Sequence, residues 1–360
     1  DEKFGNKTLN NIKGTIEFKK VYFSYPDEDN ILKDFNLELE PNKKIAIVGS
    51  SGQGKSTLFN LITRIFDPNN GEIDIDGINI KDLTEEDLRK NISIIRQEPF
   101  VFNRTIKENF KIINNKITLS KIRECTKLAY LDDYIMSLPK KYDTVLGEGG
   151  VNLSGGQKQR LSIARTLSKG SKIILFDEAT SALDNKSQEY IKKTIDNLVK
   201  DHTIVIVAHR LSTIIDADII FVVDNGKVVS SGTHNELLKT SDIVSIHCPL
   251  NEQTKGLIGE ESFKLMKKGA ILINVGRGGI VDEEALVEAL QNNEIAGAGL
   301  DVFEREPLAK ESPLLQINDA SKLLMTPHIA WATVEARNRL FDLVVDNIQG
   351  FLKGDLKNVC

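Results

Sequence analysis

The chain has 360 residues, 40% hydrophobic and 28% charged, with a formal net charge of −5. That length suits about two domains, each with its own core, and the charge excludes the basic stripe of a nucleic-acid binder. No apolar run approaches the ~20 residues that span a bilayer, so any membrane part is expected outside this sequence, which begins at Asp1 with no initiator Met or signal peptide.

In chain order, "GTIEFKKVYFSYP" alternates apolar and polar residues and ends at a proline, which predicts half-buried antiparallel strand. "KKIAIVG" predicts a short buried strand entering a glycine-rich loop, and "STLFNLITRIF" a helix after it. Residues 97–164 read as mostly helical. "KIILFDE" and "TIVIVAH" are compact apolar runs typical of parallel strands covered on both faces. "DIIFVVDNGKVVSSG" places Asn-Gly between two β-rich runs, a hairpin signal. From Ser241 the rhythm changes to strand, helix, strand, helix. "DIVSIHC", "AILINVG", "GAGLDVF" and "LLMTPH" read as strands, "EESFKLMKK" and "DEEALVEALQNN" as crossover helices, and "TVEARNRLFDLVVDNIQGFLKG" as a long amphipathic helix. Charge changes there too: residues 241–360 hold 12 basic against 18 acidic residues. The three cysteines, Cys125, Cys248 and Cys360, lack metal-ligand spacing and read as reduced thiols.

The loop Gly49-Ser50-Ser51-Gly52-Gln53-Gly54-Lys55-Ser56-Thr57 fits the phosphate-binding pattern between a strand and a helix. Its glycines let backbone N–H groups approach phosphates, Lys55 is expected to reach the β- and γ-phosphates, and Ser56 to ligate Mg²⁺. In "IILFDEATSALD", Asp177 and Glu178 end a buried strand. One carboxylate can hold Mg²⁺ while its neighbour polarises the attacking water. "LSGGQKQRLSIAR" sets Ser154, Gly155, Gly156 and Gln157 before a helix, a second candidate anion site, although Ser-Gly-Gly alone reads more readily as a turn.

The ordered set "GSSGQGKST", "RQEP", "LSGGQ", "IILFDEATSALD" and "IVAHR", over residues 14–239, resembles the ATP-binding cassette (ABC) transporter family, and "FVFNRTIKENF" resembles its exporter branch. The resemblance implies an α/β P-loop NTPase with a RecA-like core, an antiparallel β subdomain and a helical subdomain. It implies that Tyr25 stacks on adenine, that Gln97 touches Mg²⁺ and the attacking water, that Glu178 is the catalytic base, and that His209 contacts the γ-phosphate. It also places Asp184 at a dimer interface, where two copies sandwich two ATP molecules between one Lys55 loop and the partner's Ser154 turn. The implied setting is the cytoplasmic face of the plasma membrane, powering transmembrane helices absent from this chain. A soluble, non-transport ABC ATPase is the alternative. "GEGG" at 147–150 departs from the Gly-Glu-Arg-Gly often found there in exporters.

"SDIVSIHCPLNEQTKGLIG", "LINVGRGGIVDEEAL", "GAGLDVFEREPL" and "TPHIAWAT" resemble the D-isomer-specific 2-hydroxyacid dehydrogenases. Carried over, Arg277 would bind the substrate carboxylate, His328 would exchange the proton, Glu306 would hold His328, and Asp301 would meet the nicotinamide carboxamide. No G-x-G-x-x-G follows Ser241, so NAD is not expected to bind. Residues 240–360 then form a truncated Rossmann-like parallel half domain with a vestigial site, beside a first domain over 1–239; an active NAD-dependent oxidoreductase fragment is the alternative. Without the glycine-motif strand, "DIVSIHC" is expected at an exposed sheet edge. That edge would pair with another copy or with the "IIFVV" hairpin, or leave the tail poorly ordered.

Overall fold

A computed structural model describes residues 4–26, 29–50, 52–147, 151–177, 184–207, 214–317 and 319–353. The chain forms two compact units, divided between His234 and Asn235, five residues before the 239/240 boundary read from the sequence.

The first unit is built on two sheets. β1 (Ile16–Phe23), β2 (Leu32–Leu39), β4 (Asn70–Ile75) and β5 (Ile78–Asn79) form an antiparallel sheet in the order β2-β1-β4-β5. The alternation in "IEFKKVYF" buries Ile16 and Phe18 and, after a register shift around Lys20, Val21 and Phe23. The second sheet runs in the order β10-β9-β3-β8-β7-β6, from β3 (Lys44–Val48), β6 (Ile92–Ile95), β7 (Ile173–Asp177), β8 (Thr203–Val207), β9 (Ile219–Asp224) and β10 (Lys227–Gly232). All its pairs are parallel except β9 with β10. β8 is buried at all five positions, as a strand covered on both faces must be. Asn225 and Gly226 have φ of 48° and 72°, the paired left-handed geometry of a tight hairpin turn. One apolar cluster runs through both sheets, from Ile16 and Phe35 to Ile45, Leu58, Leu175 and Val205.

The segment read as mostly helical holds helices Ile106–Lys111, Leu119–Leu128, Asp132–Ser137 and Gly155–Lys169. Gly155 and Gly156 differ from the sequence expectation: they are the first residues of their helix rather than a turn before it. Ser154 alone is the cap, its hydroxyl accepting from Gln157 N at 3.3 Å while the Gln157 side chain accepts from Ser154 N at 2.9 Å. A reciprocal cap of that kind starts a helix at once.

The second unit is a parallel sheet in the order β11-β12-β13-β14: Ile243–Ile246, Ile271–Asn274, Gly297–Leu300 and Leu323–Met325. β11 pairs with β12 alone and forms an edge. The helices Glu260–Leu265 and Glu283–Gln291 build a core with Leu272, Ala298, Leu300 and Leu323. Side chains alternate across a sheet, so the opposite face carries Ile243, Ile271 and Leu324, which are 60%, 42% and 69% exposed. Among the described residues this parallel sheet is covered on one side, against the rule for its class. The long helix Val334–Lys353 leaves Leu340, Phe341, Phe351 and Leu352 exposed as well.

Candidate nucleotide site

β3 and β7 point the same way, so the loop after Val48 and the carboxylate of Asp177 emerge at the same edge of the sheet. Residues at the carboxyl ends of parallel strands converge there. Gly54 caps the helix Lys55–Ile62 at φ 85°, in the left-handed region, and a Cβ on it would lie 2.6 Å from Ile31 Cγ2. Both facts demand glycine. The helices that start at Glu85, Ile106, Leu119, Gly155, Asn185 and Glu283 each have a Thr, Ser or Asp side chain on a first-turn N–H. The Lys55 helix has no side-chain cap and no acidic residue in its first turn. Its first N–H groups and dipole therefore suit an external anion.

The buried Lys55 ammonium donates to Gly49 O at 2.8 Å and Ser50 O at 2.7 Å, which keeps the loop curled around it. Ser56 Oγ donates to Asp177 Oδ1 at 3.1 Å. A hydroxyl and a carboxylate so placed fit Mg²⁺, which takes one or two protein oxygens and draws its other ligands from phosphates and water. No cluster of three or more His, Cys, Asp or Glu side chains suited to a metal occurs among the described residues.

Other predicted residues are placed differently. Thr57 is buried, its hydroxyl 3.3 Å from the Tyr25 hydroxyl, which also accepts from Asn60 Nδ2 at 3.2 Å. The Tyr25 ring stands edge-on to Phe23 and Phe66 at 5.0 and 5.2 Å. Gln53 reaches away from the loop: its Oε1 accepts from Asn225 N in the hairpin turn at 2.6 Å. Gln97 is exposed in the bend after β6. Asp184 caps the helix Asn185–Leu198, Oδ1 accepting from Ser187 N at 2.9 Å and Oδ2 from Ser187 Oγ at 2.8 Å. Those two bonds hold its carboxyl below the usual range. Ser51, Glu178 and His209 lie outside the described residues.

Two contacts at the Ser154 helix start were missed by sequence reasoning. A Cβ on Gly156 would come 2.1 Å from Ser187 Oγ, so this glycine lets two helix starts touch. Gln159 Nε2 donates to Arg96 O at 3.1 Å, tying the helix Gly155–Lys169 to the residue before Gln97. The Asp-x-x-Ser spacing at 184–187 was the available signal for the cap; nothing in the sequence pointed to the Gly156 contact.

In the second unit, His328 Nδ1 lies 2.7 Å from Glu306 Oε2, and this hydrogen bond holds the Glu306 carboxyl below its ordinary value. Asp301 is buried, which alone would raise its pKa. Bonds from Thr326 Oγ1, Ala330 N and Ile329 N, at 2.6, 2.8 and 2.8 Å, outweigh burial and keep it low. Asp301 thus fixes the loop that presents His328. Arg277 lies in the turn after β12, its Nη1 donating to Gly276 O at 2.8 Å.

A glycine loop between a parallel strand and a helix, with a serine and an aspartate converging on one point, defines the first unit as a P-loop nucleotide-binding domain. Comparison with known proteins matches two families to different stretches of the chain. Residues 32–181 match the ABC transporter family, and residues 222–330 match the D-isomer specific 2-hydroxyacid dehydrogenase, NAD binding domain. The chain is therefore chimeric, joining a segment of each family. It is 48% identical over 239 residues to ABC transporter B family member 2 of Dictyostelium discoideum, covering 65% of this chain and 17% of that protein. It is 45% identical over 235 residues to P-glycoprotein 14 of Caenorhabditis elegans, covering 65% and 18%. The structure of a bacterial Atm1-family ABC exporter with ATP bound superposes with a TM-score of 0.59 at 39% identity, over 65% of this chain and 42% of that one. The chain spans only a small part of these relatives' length. No helix among the described residues is long and apolar enough to cross a membrane.

Proposed function

We propose that the first unit binds and hydrolyses ATP with Mg²⁺ and that this hydrolysis drives a membrane exporter whose transmembrane helices are not in this sequence. The contact between Ser56 and Asp177 carries this reading, because it joins two predicted metal ligands beside a lysine-centred phosphate loop. Mg²⁺, held by Ser56 and Asp177, would neutralise phosphate charge. Lys55 would exchange its Gly49 and Ser50 carbonyls for phosphate oxygens, and the helix N-terminus behind it would add its dipole. Glu178 would accept the water's proton, with His209 and Gln97 orienting the phosphate and the water.

Ser154 would serve the nucleotide of a second copy. Its oxygen already accepts from Gln157 N, which leaves the hydroxyl proton to donate to a phosphate. A homodimer or heterodimer closed around two ATP molecules follows, at the cytoplasmic face of the plasma membrane. The test is phosphate release by the purified chain with Mg²⁺ and ATP. Lys55→Ala should abolish it, and Glu178→Gln should trap an ATP-dependent dimer. Equal release by wild type and Lys55→Ala would sink the assignment.

The second unit is proposed to be catalytically silent. Its Glu306–His328 pair is assembled, but its sheet starts at a strand that lacks the glycine fingerprint needed to seat a dinucleotide pyrophosphate. NADH with a panel of 2-keto acids should show no change at 340 nm; turnover lost in His328→Gln would establish the oxidoreductase reading instead.

A further inference from the structure

Behind the Ser154 cap, the helices Leu119–Leu128, Asp132–Ser137, Gly155–Lys169 and Asn185–Leu198 line an open cavity of about 520 Å³. Arg160 lines it and is 9% exposed. Among the described residues its guanidinium is met by the Tyr190 ring, 4.9 Å from the centroid, rather than by a carboxylate. Its Nε is sealed from solvent with no hydrogen-bond partner. Asp184 is close enough for its charge to favour the guanidinium, but neither it nor Asp132 makes an ion pair with Arg160. Both oxygens of Asp184 are taken by Ser187, and Asp132 is held by Arg123 and Tyr142. Lys127 and Lys186 stand exposed at the rim, opposed there by the exposed carboxylate of Asp133.

A buried arginine cannot shed its charge, so a guanidinium with no carboxylate in direct contact gains when an anion reaches it. We propose that this cavity binds a small oxyanion, a phosphate or carboxylate group, held by the Arg160 guanidinium with Lys127 and Lys186 at the mouth. A planar fork of donors matches either group. The Tyr130–Tyr190 stack, with centroids 5.2 Å apart, braces the arginine from one side. Gln157 and Ser187 also line the cavity, so a bound anion would sit directly behind the Ser154 cap and the Gly156 contact. This site is separate from the Lys55 loop and does not depend on the ATPase reading.

The test is calorimetric titration of the full chain carrying Lys55→Ala, which silences the phosphate loop, with inorganic phosphate and in parallel with succinate. The tighter of the two probes identifies the group preferred. Adding Arg160→Gln should weaken that binding about tenfold or more, the loss expected when charged hydrogen bonds go. Lys186→Gln should weaken it about twofold to threefold, as a partly screened rim charge would. No heat from either probe, or equal affinity across all three chains, overturns the proposal. If circular dichroism shows that Arg160→Gln fails to fold, a Lys127→Gln/Lys186→Gln chain decides, and undiminished binding there overturns it.

Discussion

Ser56 and Asp177, 121 residues apart in sequence, meet at 3.1 Å. One begins a helix and the other ends a strand two places across the sheet from β3. If this pair holds Mg²⁺, neither oxygen is replaceable by a group without lone pairs at that point. Asp177→Ala should lower Mg²⁺-dependent ATP hydrolysis about 100-fold or more, the scale of losing a key charge stabiliser, with far-UV circular dichroism unchanged. Hydrolysis within a few-fold of wild type would remove Asp177 from the site.

Gly156 and Ser187 are packed so closely that one added methyl must displace a helix start. Gly156→Ala should destabilise the first unit by about 1–3 kcal/mol, the usual cost of overpacking, as read by urea unfolding. Adding Ser187→Gly should recover part of the loss; strict additivity of the two changes would show that they do not couple.

Asp184 caps a helix through both of its carboxylate oxygens. Asp184→Ala should cost about 1 kcal/mol. Because the folded pKa of Asp184 is lowered, its contribution is complete above the unfolded carboxyl value and is lost as pH falls through the folded one. The stability gap between wild type and Asp184→Ala should therefore shrink on acidification. A gap that widens would contradict the capping role.

Lys169 donates to Ile92 O and Ser93 Oγ, and burial, helped by Arg89, pushes its ammonium down to about 8. Between that value and the ordinary 10.5, the unfolded chain binds a proton that the folded chain does not. Stability from this group therefore rises with pH through that window. Lys169→Met should flatten the rise in denaturant midpoint measured from pH 8 upward, and an unaltered slope would show that Lys169 titrates as a surface lysine does.

The uncovered sheet face of the second unit carries Ile243, Ile271 and Leu324. Exposed apolar area of this kind binds hydrophobic dyes and promotes association. Leu324→Lys should reduce dye fluorescence and concentration-dependent association while changing stability by less than about 0.5 kcal/mol. A loss of several times that would mean that the face is covered in solution.

The repeating patterns of the sequence determined β1, β3, β7 to β10, the four strands of the second unit, the Asn225-Gly226 hairpin and the phosphate loop. These are local: alternation, buried runs and obligatory glycines act over a few residues. β2, β4, β5 and β6 were not read from the sequence. The edge position of β11 was legible as well, since a missing neighbour can be read from the strands that are present. Only the tertiary structure decided what depends on residues far apart. Gln53 leaves the phosphate loop for a hairpin turn, and Thr57 turns inward to Tyr25. Gly156 serves a helix contact, and Arg160 is buried against Tyr190 with no ion pair among the described residues. A side chain's partner is set by how close two elements pack, and packing distance leaves no period or spacing in the linear order of residues.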